Sequence, residues 1–328
     1  MHYSVFFVIF IIGLAYCFDF INGIHDASNG IACIIASKVL SARQAVIWGA
    51  FFTFMGLFLF NLSVAKTISL EIINPMLLTP DLICAALCSA ILWGLITWCF
   101  GLPSSSSQAL MGGILGAAFI KHGSHSVQYL GILKLFAGIL VSPALGVLLS
   151  YIITHAFDYL KKIMTTPLAE KRLFNTFQLF SSASLCIAHG SNDAQKTMGI
   201  ITLLLFQASW LTSDFYIPLW VVVSCYACIS LGSLLGGWRI VRTMINITPM
   251  DSVHASAAET SAACIIIAAT HFGIPLSTTQ TVTGAIAGTG IKAHISQTNW
   301  LVLKVIFFSW LITLPSTATL SAILLWIA

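Results

Sequence analysis

"FGLPSSSSQALMGGILGAA" occupies residues 100–118 and "FGIPLSTTQTVTGAIAGTG" residues 272–290. Aligned without a gap, Phe, Gly, Pro, Ser, Gln, Gly, Ile and Gly coincide at eight of the 19 positions. Each stretch follows one plan: an apolar segment ends at Phe-Gly, a proline follows, and hydroxyls and an amide precede a second apolar segment. Proline suits the first turn of a helix, where its missing N–H has no partner to lose. Residues 104–108 and 276–280 are therefore expected to open helices. A helix start carries free N–H groups and about half a positive charge, which favour an anion. Pairing 82–101 with 105–120, and 255–271 with 277–292, gives two re-entrant helical hairpins with hydroxyl-rich tips.

Composition identifies the solvent around these hairpins. Of 328 residues, 58% are hydrophobic and 7% charged, with a mean hydropathy of +0.97; soluble domains carry roughly 25% charged residues. The chain reads as an all-α polytopic membrane protein. Apolar runs near the length of about 20 residues that a full crossing needs recur at 45–64, 82–101, 130–153, 217–238 and 300–327. The first run, "YSVFFVIFIIGLAYCFDFINGI", has no basic segment before it, so a cleaved signal peptide is not expected. The nine cysteines make no metal or disulfide pattern and read as small buried hydrophobes. The net charge of +4 is clustered where loops should be, and no nucleic-acid partner is implied.

Those clusters supply a topology. "DYLKKIMTTPLAEKRLFN", residues 158–175, faces the cytoplasm by the positive-inside rule, and Lys38/Arg43 and Arg239/Arg242 are placed on the same side. With the N-terminus outside, a long interrupted unit at 3–37 enters and 45–64 leaves; in the second half 175–208 leaves and 217–238 returns. The same order of elements thus runs twice in opposite orientation. A second repeated motif agrees: "NGIHDASNG" (22–30) and "HGSNDAQKT" (189–197) share Gly, Asp and Ala. Asp26 lies 80 residues before Ser106, and Asp193 lies 86 before Thr279. We read residues 1–157 as one inverted repeat, 158–172 as a cytoplasmic linker and 173–328 as the second repeat. Inverted repeats with interrupted helices are the architecture of secondary transporters, with the substrate site near the midplane.

Ionisable residues inside a bilayer are costly and mark function by default. Four stand out: Asp26, Asp193, Lys196 and Glu259, with Asp19 a weaker fifth beside a helix end. His25 and His189 adjoin the motifs, but with no acid or histidine read at i+3 or i+4 from either one to complete a zinc-like set on one helix, a structural metal is not expected, nor is a cofactor.

At these residues the chain resembles the inorganic phosphate transporter (PiT) family, and the resemblance covers essentially its whole length. The duplicated family signature is matched by Gly23-Ile24-His25-Asp26-Ala27-Ser28-Asn29 and Gly190-Ser191-Asn192-Asp193-Ala194-Gln195-Lys196. Both forms resemble the low-affinity bacterial branch. The paired tips match Pro103 to Gln108 and Pro275 to Gln280, with glutamine where many members carry histidine. Glu259, 16 residues before Pro275, matches a membrane-buried family glutamate. The resemblance implies inorganic phosphate, carried free or as a metal complex, in a multi-pass protein of the inner (plasma) membrane that forms a homodimer. The candidate substrate-binding set is Asp26, Asn29, Ser105, Ser106, Ser107, Gln108, Asn192, Asp193, Gln195, Ser277, Thr278, Thr279 and Gln280. The candidate coupling set is Asp26, Asp193, Lys196 and Glu259.

Coulomb's law constrains the mechanism independently. A carboxylate about 4 Å from an anion is repelled by about 4 kcal/mol at an effective dielectric constant near 20. A cation must therefore share the site, which makes the chain a symporter. Lys196 occupies the position that the repeat matches to Asn29, and its ammonium replaces a bound cation there. This favours a proton over sodium as the coupling ion, carried on buried carboxylates. A sulfate permease with the same tips is the nearest alternative. An intramembrane phosphatase lacks basic clamps beyond Lys196, and a passive anion channel has no use for buried acids.

Overall fold

The computed structural model describes residues 4–59, 62–70, 77–123, 129–164, 166–211 and 216–327, and contains helices and no strand among them. The helices are α1 (Val5–Ala36), α2 (Ala42–Met55), α3 (Ser63–Leu70), α4 (Pro80–Phe100), α5 (Ser106–His122) and α6 (Tyr129–Ile163) in the first half. In the second they are α7 (Pro167–Gln207), α8 (Leu219–Ser233), α9 (Trp238–Ile245), α10 (Ser252–His271), α11 (Thr278–Ala293) and α12 (Trp300–Ile327). Among the described residues five helices are long and apolar enough to cross a membrane, or up to seven if α2 with α3 and α8 with α9 each form one bent span.

The interruptions lie elsewhere than expected. Residues 3–37 were read as a broken unit, yet α1 is continuous over 32 residues; residue 3 lies outside the described ones. Likewise α7 runs unbroken for 41 residues, about 60 Å at 1.5 Å per residue. The breaks fall one element later: α8 and α9 meet at 70°, and the α2 and α3 segments at 80°. Consequently the expected spans 45–64, of which residues 60 and 61 are not described, and 217–238 are not single helices. Packing explains this placement. A Cβ on Gly237, in the α8–α9 break, would sit 2.2 Å from the Ile24 carbonyl oxygen. One on Gly56, at the end of α2, would lie 3.1 Å from the Ile187 oxygen and Ser191 nitrogen. Each broken helix therefore bends against the signature segment of the opposite half.

The signature glycines seat the same contacts from the other side. Gly23 lets α8 approach until a Cβ would be 2.1 Å from the Ile229 oxygen, and Gly190 lets α2 approach to 2.4 Å from the Thr53 oxygen. Small residues at such crossings allow backbone-to-backbone packing in a membrane.

Both hairpin tips are built alike. Gly101 ends α4 at φ 66° and Gly273 follows α10 at φ 67°, the left-handed region that favours glycine. Leu102 N–H donates to the Thr97 oxygen and Gly101 N–H to the Trp98 oxygen; Ile274 to Ala269 and Gly273 to Thr270 repeat the pattern. This is a Schellman motif, after which a proline stops the helix. Pro103 and Pro275 therefore terminate the incoming helices rather than opening the outgoing ones, as the sequence reading had it. Ser105 and Ser277 are the N-caps, their hydroxyls accepting the N–H of Gln108 and Gln280.

Packing is exchanged between halves: α5 lies on α12 and α11 on α6, α1 packs on α8 and α7 on α2, and α1 packs on α7. Residues 158–172 are mostly helical, since α6 extends to Ile163 and α7 starts at Pro167. Arg239 and Arg242, expected in a loop, lie in α9, where Arg239 Nη1 donates to the Cys99 carbonyl at 2.5 Å at the C-terminus of α4.

Candidate functional site

The two signatures lie on the touching helices α1 and α7, and the tips of α5 and α11 close onto them. Asp26, Asp193 and Lys196 have no exposed surface. Asp26 takes one donor from each tip: Ser106 Oγ donates to Oδ2 at 3.1 Å, and Thr279 Oγ1 to Oδ1 at 2.9 Å. Asp193 Oδ2 accepts from Thr278 Oγ1 at 3.2 Å, and its Oδ1 accepts from the Lys196 ammonium. Lys196 Nζ also donates to Ser107 Oγ at 2.5 Å. Ser107 in turn donates to the Leu276 carbonyl at 2.9 Å, joining the first tip to the second. Asn29 Nδ2 donates to Thr279 Oγ1 at 3.0 Å.

Two pairs of these contacts match across the sequence repeat, while Thr279 donates to Asp26 and its counterpart Ser107 donates to the Leu276 carbonyl instead. Asp26 with Ser106 corresponds to Asp193 with Thr278, and Asn29 with Thr279 corresponds to Lys196 with Ser107. Asn29 and Lys196 thus do the same job, each donating from a signature helix to a hydroxyl of the opposite tip. The difference is one positive charge. Beside two aspartates, Lys196 supplies a single compensating ammonium.

The remaining candidates divide. Ser105 and Ser277 are spent on capping. Among the described residues Gln108 Oε1 and Gln280 Oε1 are buried without a hydrogen-bond partner, as are Asn29 Oδ1 and Asn192 Oδ1, so four amide oxygens of the candidate set lack donors there. Asn192 Nδ2 holds Thr270 Oγ1 at 2.9 Å. Gln195 Oε1 accepts the N–H of Val64 at 3.0 Å and of Ala65 at 3.3 Å, at the start of α3. Glu259 is apart, accepting from Ser181 Oγ at 2.6 Å and Gln178 Nε2 at 3.4 Å. Ser181 is 12 residues before Asp193 on α7, about 18 Å along the helix.

Several polar groups were undervalued in the sequence. Asp19 is not beside a helix end: it is fully buried within α1 and accepts from Thr197 Oγ1 at 2.5 Å. Asp19, Asn22, Asp26 and Asn29 recur at spacings of three and four, one stripe of a helix, and that periodicity was the available signal. Among the described residues Asn22 has no side-chain hydrogen-bond partner, and neither does His189, its counterpart in the sequence repeat. His189 does have an acid one turn away, which the metal reading overlooked: Nδ1 is 3.3 Å from Asp193 Oδ2, without hydrogen-bond alignment. His25 is integrated, with Nδ1 3.1 Å from Asp26 Oδ1 and Nε2 3.2 Å from both Thr97 Oγ1 and Ser104 Oγ. Only Ser104 among these last hydroxyls belongs to a motif that the sequence exposes.

Residues 22–321, which hold both signatures and both tips, match the profile of the phosphate transporter family. A Rhizobium meliloti (strain 1021) protein named "Probable low-affinity inorganic phosphate transporter" is 45% identical over 314 residues, covering 95% of this chain and 94% of that one. A Bacillus subtilis (strain 168) protein of the same name is 39% identical over 321 residues, covering 96% and 95%. A solved structure titled "The sodium-dependent phosphate transporter" matches the fold with a TM-score of 0.87 at 24% identity, over 98% of this chain and 99% of that one. Profile, relatives and fold agree along nearly the whole length, and the chain belongs to the phosphate transporter family, a membrane carrier and not an enzyme.

Proposed function

We propose that the chain is a cation-coupled symporter that imports inorganic phosphate across the inner (plasma) membrane, with the proton as coupling ion. One observation carries this reading: the tip hydroxyls of Ser106, Thr278 and Thr279 all donate to Asp26 or Asp193. The donors that suit an oxyanion are thus held by anions of the protein itself. Adding a proton to either carboxylate weakens its hold on those hydroxyls and removes the repulsion toward phosphate in the same step. Phosphate and cation then bind together or not at all, which is symport. The Lys196 ammonium already meets the charge of Asp193, so of the two carboxylates Asp26 is the one whose charge the coupling ion meets. Glu259, which meets α7 at Gln178 and Ser181 about 18 Å along the helix from Asp193, is a second station for a proton.

The exchanged packing supports two inverted repeats, 1–157 and 173–328, joined at 158–172. A second reading, with sodium or a divalent metal accompanying phosphate, is favoured by the four donor-less amide oxygens. Oxygen ligands of that kind suit hard cations.

Labelled phosphate uptake into proteoliposomes tests the proposal. A proton gradient without sodium is expected to drive accumulation, and excess sulfate to leave it unchanged. Accumulation that follows sodium alone, requires a divalent metal, or is abolished by sulfate would replace the proton reading with the corresponding alternative.

A further inference from the structure

The outer face of α6 is amphiphilic along its length rather than across it. Val141, Leu145, Leu148 and Ile152 are exposed at spacings of four, three and four, a single stripe of a helix. The same spacing continues through His155, Tyr159 and Lys162, also exposed. At its start the stripe borders an apolar groove of about 500 Å³ against α10, lined by Val141 and Leu145. At its end it enters a cavity of about 320 Å³ whose wall includes His155, Tyr159, Lys161, Lys162 and Lys292. That cavity is cationic. Its one carboxylate, Asp158, is 3.3 Å from His254 Nε2, and Lys161 is engaged by Glu170 at 3.0 Å. Lys162 and Lys292 have no carboxylate partner among the described residues.

We infer that this face binds a glycerophospholipid with a net negative headgroup, its phosphate in the lysine cavity and an acyl chain along the stripe. The dimensions fit one leaflet. Val141 to Ile152 is 11 residue steps, about 16 Å of helix, against about 15 Å for half a hydrocarbon core. Charge also fits: Lys161, Lys162, Lys171 and Arg172 place this end in the cytoplasmic leaflet, where anionic lipids attract basic clusters. A free anion would occupy the cavity alone, whereas a phospholipid engages the cavity and the adjoining stripe together. The inference is independent of the coupling ion.

Native mass spectrometry of the detergent-purified protein with phosphatidylglycerol and phosphatidylcholine provides the test. The expected result is retention of phosphatidylglycerol over phosphatidylcholine by roughly thirtyfold, the contribution of two lysines beside an anionic headgroup. Lys162→Gln with Lys292→Gln should abolish that preference, and Lys162→Arg with Lys292→Arg should keep it. An excess of inorganic phosphate should not displace the lipid. Equal retention of both lipids, an undiminished preference in the glutamine pair, displacement by phosphate, or a second protein copy covering the stripe and excluding lipid would each overturn the inference.

Discussion

Lys196 is the side chain on which most depends, since a fully buried ammonium is tolerated only when its donors are satisfied by charge or hydrogen bonds. Asp193 and Ser107 provide both. Lys196→Asn restores the residue type of its counterpart Asn29 and removes the ammonium. Uptake by this variant is expected to be lost in sodium-free medium and regained with sodium at constant pH; loss at every sodium concentration would dispose of the tethered-cation role. Thr278→Val and Ser106→Ala each delete one tip hydroxyl that donates to an aspartate and that the proposed mechanism transfers to phosphate. Each should raise the phosphate concentration for half-maximal uptake by about tenfold to a hundredfold, from roughly 1.5–3 kcal/mol per charged hydrogen bond. Unchanged uptake in both variants would remove the tips from the substrate site. At this scale the sequence was informative where a motif occurred twice: Asp26, Asp193 and the tip hydroxyls do converge. It was uninformative for Gln195, because spacing along a helix does not say which face a neighbouring short helix will cover. The same ignorance hid Thr97 and Thr270, lone threonines in apolar helices whose partners are 72 and 78 residues away.

Among the elements, the hairpins were legible and the broken helices were not. Phe-Gly-x-Pro encodes a left-handed glycine and a stop within four residues, a local instruction. The break after α2 has no such code and is set by glycine-mediated contact with a helix of the other half; the break after α8 does carry a local signal, Gly236-Gly237 with Gly236 at φ 71°, which lies inside an apolar run and was read through. Hydrophobic periodicity gives no help where helices are apolar on every face. The left-handed glycines give a direct check. Gly273→Ala places a Cβ at φ 67° and 3.1 Å from Ser63 O, and the conformation alone costs about 1–2 kcal/mol. Its thermal midpoint in detergent should fall below that of the wild type, while Gly13→Ala, where a Cβ meets nothing within 4 Å, should not lower it. Equal midpoints would mean that the tip does not depend on the glycine.

For the whole molecule, duplication predicts that counterpart elements end on opposite faces of the membrane. Lys121 closes α5 and Lys292 closes α11. In a background without the native cysteines, Lys121→Cys should react with an impermeant maleimide from outside only and Lys292→Cys from inside only; labelling from one common side would exclude inversion. The account as a whole rests on the aspartates and tip hydroxyls acting as one coupled site. Its most direct test compares two readouts in Asp26→Asn proteoliposomes: exchange of labelled phosphate at equilibrium, and net accumulation under an imposed proton gradient at fixed membrane potential. A neutral amide cannot take up the coupling charge but leaves the tips in place. The account predicts that exchange persists while accumulation is lost, and accumulation equal to that of the wild type would contradict it.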